Sequence, residues 1–271
     1  MIIWSDKLLR PDLVGYSREE LIRKGKFSAT KPQLLRKRWP ECWFKTLPPS
    51  ASPCVDLIAV HTQRYVDSVF AGDLVHATYA LDTCHVHLSA ALRAIHELTH
   101  YIAPVSGFHH ASRDGGWGFC TFNGLMLTAD EVLSRDLVDR VVIIDGDTHY
   151  GDGCDNILRD WGREDIVYYH AETVDQVKSA LCDSHPARTL VLYQAGVDGH
   201  VDDPLCMGDG MTDEAYRLRD EFVYNVCDAK KWPSVTNLAG GYTEHSLDLY
   251  TQTAEVLYAA HHSSCSGSIE G

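Results

Sequence analysis

No apolar run in this 271-residue chain approaches the length needed to cross a bilayer, which argues against a helical membrane protein. The opening residues, MIIWSDKLLRPD, lack the basic start and long apolar stretch of a secretory leader. The chain is therefore expected to be soluble and cytoplasmic. Its nine cysteines are an odd number, and none form a C-x-x-C pair. That argues against a disulfide framework; reduced, mostly buried thiols are expected, Cys120 and Cys154 among them. Internal repeats, low-complexity tracts and linkers are also missing, so residues 1–271 read as a single large domain. Positive charge is scarce: 24 Lys and Arg stand against 38 Asp and Glu, a net charge of −14. The scarcity is uneven, since residues 1–40 hold ten basic against four acidic residues, leaving −20 for the rest. No nucleic-acid motif accompanies the basic run Arg36-Lys37-Arg38, which reads as a solvated face. The acidic body disfavours direct nucleic-acid binding and mildly favours a cationic substrate. Oligomeric state is not readable from these features.

Helical and strand patterns alternate after an irregular, helix-containing layer at residues 1–55. Helices are expected at Val86–His100, Phe122–Leu133, Cys154–Trp161, Val174–Cys182, Glu214–Ala229 and Leu247–Ala260. Strands are expected at Ile102–Ser106, 141–147, Ile166–Tyr169, Thr189–Gln194 and Ser234–Ala239. Alternation of this kind implies an α/β fold, a mostly parallel sheet with helices on both faces.

The segment 141–153, VVIIDGDTHYGDG, carries the most chemistry. Four branched apolar residues read as a buried strand. Asp145, Asp147 and His149 alternate beyond it, so an extended chain points all three the same way. Carboxylates and imidazoles are ordinary ligands for zinc or a similar ion, and open α/β sheets build sites at strand carboxyl ends. A solvated Asp-rich turn would read the same way in isolation. Three more strands run into polar Gly-containing turns, ending in His109-His110, in Asp198-Gly-His200 and in Gly240-Gly-Tyr242. A parallel sheet brings all four turns to one edge, enough for a metal-activated water with acid–base help.

With GFHHA and GFCTFN, IDGDTHYGDG, QAGVDGHVDDPL and LAGGY in that order, the chain resembles the histone deacetylase superfamily, including bacterial deacetylase-like and acetylpolyamine amidohydrolases. The resemblance runs from about Ala59 to Tyr250 and implies an arginase-like fold. It implies a metal-dependent amidohydrolase that removes an acyl group from an N-acylated amine such as acyl-lysine. Asp147, His149 and Asp198 match the metal ligands, for Zn2+ or else Fe2+. His109 and His110 match the tandem catalytic histidines, His110 as base and His109 as electrostatic partner or proton donor. Asp145 and Asp152 match the carboxylates behind those imidazoles. Tyr242 matches the phenol that donates to the developing oxyanion. Gly118 and Phe119 match a wall of the acyl-amine channel.

The chain departs from the pattern in four places. Tyr150 stands where many relatives have a second His, and Gly124 where many have Asp. Only 51 positions separate Asp147 from Asp198, short for the family. The missing part normally carries the second aromatic wall, so a shallower or more open entrance is expected. The Ser through which relatives bind a monovalent cation is matched by Tyr168, which argues against K+.

Three rival readings stand beside this one. His96-Glu97-Leu-Thr-His100 spells the H-E-x-x-H of zinc proteases, alternatively an outer helix with two exposed histidines. His85 and His87 likewise read as surface residues. A binuclear ureohydrolase would need further Asp ligands in D-H-S and D-A-H-x-D patterns that are missing. A metal-binding scaffold or binding protein of the same fold, without catalysis, is the non-enzyme alternative.

Overall fold

The computed structural model describes residues 1–23, 26–48, 53–182 and 185–266. Its sheet grows from the apolar runs. In β4 (Arg140–Asp145) every residue after Arg140 is buried, and β6 (Thr189–Ala195) and β7 (Ser234–Leu238) are buried throughout. Alternation sends Val141 and Ile143 into one core and Val142 and Ile144 into the other. In β6, Leu190 and Leu192 oppose Val191 and Tyr193 in the same way. A strand covered on both faces needs apolar side chains on both, hence the unbroken runs. Each such burial contributes on the order of 1.5–3 kcal/mol.

Four strands complete the sheet: β1 (Ile2–Trp4), β2 (Phe44–Thr46), β3 (His100–Ala103) and β5 (Ile166–His170). The order is β2-β1-β3-β7-β6-β4-β5, and every ladder is parallel. One face carries α3 (Leu57–Val60), α4 (Gln63–Gly72), α5 (Leu74–Glu97), α6 (Gly124–Ser134) and α7 (Asp152–Trp161). The other carries α2 (Lys31–Arg38), α8 (Val174–Cys182), α9 (Asp213–Lys230) and α10 (His245–Ser266). The short α1 (Arg18–Arg23) places Leu21 in a small cluster with Phe27, Tyr79 and Tyr242, so the N-terminal layer packs against the later site. No helix of the described residues is long and apolar enough to cross a membrane.

The expected α/β sheet with helices on both faces is therefore present, with local corrections. The N-terminal layer also supplies β1 and β2, each three residues long and too short to show a period. Helix α5 starts at Leu74, not Val86, because Asp73 caps it by accepting from the His76 N–H at 2.9 Å. It stops at Glu97, where Leu98 turns left-handed at φ 49°. Hence β3 begins at His100, two residues before the expected Ile102, and ends at Ala103. β4 stops at Asp145, leaving Asp147 in the turn beyond it. His87 is not on the surface: it is fully buried, its Nδ1 is 2.8 Å from Thr128 Oγ1, and burial pushes its pKa down to about 3.

Candidate active site

Loops after β3, β4, β6 and β7 meet at the carboxyl edge of the sheet, where the strand order reverses. The turn after β3 carries His109 and His110. It is pinned by the Phe108 N–H donating to Gln194 Oε1 at 3.0 Å and by the Cys154 N–H donating to the His109 carbonyl at 3.0 Å. The Phe108 ring lies 2.6 Å from where a Cβ on residue 124 would sit. This explains Gly124: a larger residue would strike the ring that holds the histidine turn.

The two imidazoles lie against each other, tilted by 47° with centroids 4.0 Å apart, yet each has its own carboxylate. His109 Nδ1 lies 2.7 Å from Asp145 Oδ2, both side chains buried. His110 Nδ1 lies 2.6 Å from Asp152 Oδ1, a carboxylate half exposed at the first turn of α7. The environments push the rings apart. Burial works against charge on His109, but Asp145, Asp147 and Asp198 outweigh it and raise its pKa to about 9. Burial and then the neighbouring His109 lower that of His110, with Asp152 resisting. A charged ring thus sits beside a neutral one, the split needed for one acid and one base.

Asp147, His149 and Asp198 form the third group. One ligand atom from each lies within 4.8 Å of the others. His149 Nδ1 faces Asp147 Oδ1 at 3.1 Å and Asp198 Oδ2 at 2.9 Å. Backbone donors fix the carboxylates: Gly240 N–H reaches Asp147 Oδ2 at 2.7 Å and Thr148 N–H reaches Asp198 Oδ1 at 3.2 Å. Hydrogen bonds to both carboxylates push His149 up to about 10. Burial and then repulsion from Asp147 push Asp198 up to about 7. Such a set suits a divalent cation: two converging anions, an imidazole and little water.

A cavity of about 190 Å³ opens onto these groups, with Trp117, Phe119, Leu205 and Tyr242 among its walls. Gly118 and Phe119 both have left-handed backbone, φ 54° and 65°. At Gly118 a Cβ would sit 2.3 Å from the His110 ring, so only glycine fits there. Burial, then Asp198 and Asp147, hold the Tyr242 phenol above its ordinary pKa, so it stays a donor. Its N–H donates to Asp203 Oδ2 at 2.7 Å. No described residue between 171 and 190 lines the cavity, and the His149 side chain is 29% exposed. Within the connection between Asp147 and Asp198, α8 packs on a sheet face.

All ten expected residues come to this edge of the sheet, but several of their partners were not anticipated. Trp117 lies over His110, tilted by 34° with centroids 3.9 Å apart, and donates to Asp152 Oδ2 at 3.0 Å. Gln194 and Tyr168 donate to Asp145. Lys31, wholly buried, donates to the Ala239 carbonyl and sits 5.3 Å from the centre of the Tyr242 ring. Burial lowers its pKa to about 8, against Asp198, Asp147 and Asp203. The Trp in a Gly-rich loop was a visible signal for the first of these. The others depend on strand register.

The H-E-x-x-H reading fails on geometry. His96 lies exposed near the end of α5, whereas His100 is buried in β3 between Ser234 Oγ at 2.9 Å and Asp228 Oδ1 at 3.0 Å. The left-handed Leu98 destroys the one-turn spacing that zinc proteases need. His96→Ala should therefore leave metal content unchanged and turnover within about twofold, as surface substitutions usually do; a loss of either would revive the protease reading. Another compatible group among the described residues is His200, Asp213 and His245, which shares no ligand with the first. A bridged binuclear centre is thus not built. His200 Nδ1 accepts from the Asp202 N–H at 3.1 Å, leaving Nε2 to donate to Asp213 at 2.9 Å, a hydrogen-bonded clasp.

Comparison with known proteins points the same way. The histone deacetylase domain profile matches residues 26–173, over half of the chain. An uncharacterized protein of Picosynechococcus is 28% identical over 247 residues, 81% of this chain and 80% of its own. Histone deacetylase 2 of Arabidopsis thaliana is 29% identical over 56% of this chain, which spans only 46% of that protein. The acetoin utilization protein AcuC of Staphylococcus aureus is 31% identical over 34% of this chain and 20% of its own. Among solved structures, the HDA15 HD domain superposes with a TM-score of 0.68 at 18% identity, covering 95% of this chain and 87% of that one, a likeness of fold.

Proposed function

The chain belongs to the histone deacetylase family, a family of hydrolases, and on that premise we propose that it is a metal-dependent deacylase of N-acylated amines, acyl-lysine or a related amine. Residues 1–271 would act as one catalytic domain. The observation that supports this best is the pair of unlike His–Asp couples set beside the Asp147–His149–Asp198 group. A divalent ion held by those three, zinc or iron(II), would supply Lewis acidity to the amide carbonyl and acidify a water. The rest falls to the chain itself. Neutral His110, oriented by Asp152, takes the proton from the attacking water. Tyr242, kept protonated, donates to the oxygen that becomes negative as the amide carbon turns tetrahedral. His109, held charged by Asp145, stabilises that anion. His110 then passes that proton to the nitrogen as the C–N bond breaks, leaving a carboxylate and a free amine. Phe119 and Trp117 flank the alkyl chain of the amine.

Amine release from a panel of N-acyl-lysine peptides and N-acetylated polyamines tests the reading. Turnover of at least one, removed by a chelator and restored by Zn2+ or Fe2+, is the expected result. A panel left untouched by metal-loaded protein would favour a catalytically silent scaffold.

The ligand group also makes a prediction about protons. Without an ion, His149, raised to about 10, holds a proton at pH 7, and burial and then repulsion from Asp147 bias Asp198 toward its protonated form. A cation must displace these protons, so apparent affinity should rise with pH across neutrality. Calorimetric titration of metal-free protein with Zn2+ in two buffers of different ionisation enthalpy should show proton release. Equal heats in both would contradict the protonated set.

A further inference from the structure

Asp145 is wholly buried and accepts four hydrogen bonds. Gln194 Nε2 at 3.0 Å and the Asp147 N–H at 3.2 Å reach Oδ1. His109 Nδ1 at 2.7 Å and the Tyr168 hydroxyl at 2.6 Å share Oδ2. The phenol oxygen also accepts the Gly151 N–H at 3.0 Å, so it ties β5 to the turn bearing Asp147 and His149. Just beyond it, His170 Nε2 lies 2.8 Å from the Asp147 carbonyl, and the Ala171 N–H donates to the Asp145 carbonyl at 2.7 Å. The position matched to a cation-binding Ser is thus filled by a phenol already committed to Asp145. The Asp145 and Asp147 carbonyls both face nitrogen donors, whereas a hard cation needs free oxygens. The residues do not fit potassium.

We propose that Tyr168 is a positioning residue for His109, and that this side chain anchors Asp145 where relatives use a monovalent cation, so turnover needs no potassium. The proposal rests on the deacylase reading. The physics is direct. With one lone pair of Oδ2 bound to His109 and the other to Tyr168, the carboxylate cannot rotate. His109 is then held with its Nε2 3.8 Å from Asp147 Oδ1. Remove the hydroxyl and the second lone pair has no donor in a dry site, so carboxylate and ring drift together.

The test compares wild type, Tyr168→Phe and Tyr168→Ser on the best panel substrate, in potassium chloride and in tetramethylammonium chloride at equal ionic strength. Wild type should turn over equally in both salts. Tyr168→Phe should lose about 10–100-fold in kcat with KM held, the range typical of an outer partner, and potassium should not rescue it. Tyr168→Ser, with a hydroxyl and vacated space, should recover part of its rate in potassium alone. Wild type that stalls without potassium, or Tyr168→Phe with wild-type kcat, would overturn the proposal. An activity-independent reading comes from proton NMR. The low-field His109 Nδ1–H resonance, assigned by its loss in His109→Ala, should shift in Tyr168→Phe; an unmoved resonance counts against the proposal. Should Tyr168→Phe not fold, the wild-type salt comparison and Tyr168→Ser still decide. If no panel substrate turns over, the deacylase reading fails while the resonance still tests Tyr168.

Discussion

Tyr242→Phe should lower kcat by about 10²–10³, the usual cost of losing one oxyanion donor, while metal content and KM stay near wild type. The substitution removes one oxygen and keeps the ring. That ring is packed: Tyr242 is 7% exposed, 5.4 Å from Phe119 between centroids, and beside Lys31. Its backbone is fixed by the Asp203 carboxylate, so the ring should not move. The substrate carbonyl needs its donor only as charge gathers on oxygen, so the loss belongs in kcat rather than in binding. Steady-state kinetics with metal analysis on the same samples separates the cases. A variant with unchanged kcat would remove Tyr242 from the chemistry. One that lost metal would mean that the hydroxyl organises the ligands instead.

Asp198→Ala should cost even more, through the metal. It removes one of the three proposed ligands and also the acceptor of the Thr148 N–H and of His149 Nδ1. Metal affinity should fall by more than the roughly 10–100-fold typical of an outer partner, and turnover should fall to background. Emission spectrometry after dialysis, with circular dichroism as a check on folding, reads both. Full metal occupancy in a folded variant would show that the ion sits elsewhere. His200, Asp213 and His245 would then be the first place to look.

The sequence disclosed the central strands because β4, β6 and β7 are covered on both faces and must be apolar throughout. It concealed β1 and β2, whose three-residue pairings depend on a neighbouring edge. It misplaced His100, because one left-handed residue, Leu98, converts a helical spacing into a turn. At the site, residue types that carry charge or bind metals stood out from spacing and resemblance. The residues that steady them did not. Gln194 reaches Asp145 because those two positions are register partners on β6 and β4. Tyr168 reaches it from the next strand, and Lys31 arrives from a helix about two hundred residues away in sequence from the carbonyl it meets. No local pattern encodes such meetings.

The strand order has a consequence in time. β7, formed by Ser234–Leu238, is the last of the described strands to be made and yet lies in the middle of the sheet, between β3 and β6. Until it emerges from the ribosome, the β1–β3 portion and the β4–β6 portion have no ladder between them. The turn with His109 then has no fixed relation to the turn with Asp147, and the Gly240 N–H that steadies Asp147 has not yet arrived. Pairings this distant are slow to form because the loop-closure entropy must be met first. A nascent chain truncated before Ser234 should therefore bind metal poorly however long it is given. Assembly of the candidate site therefore waits for a late segment of the described residues, and a chain lacking it should show none of the proposed activity.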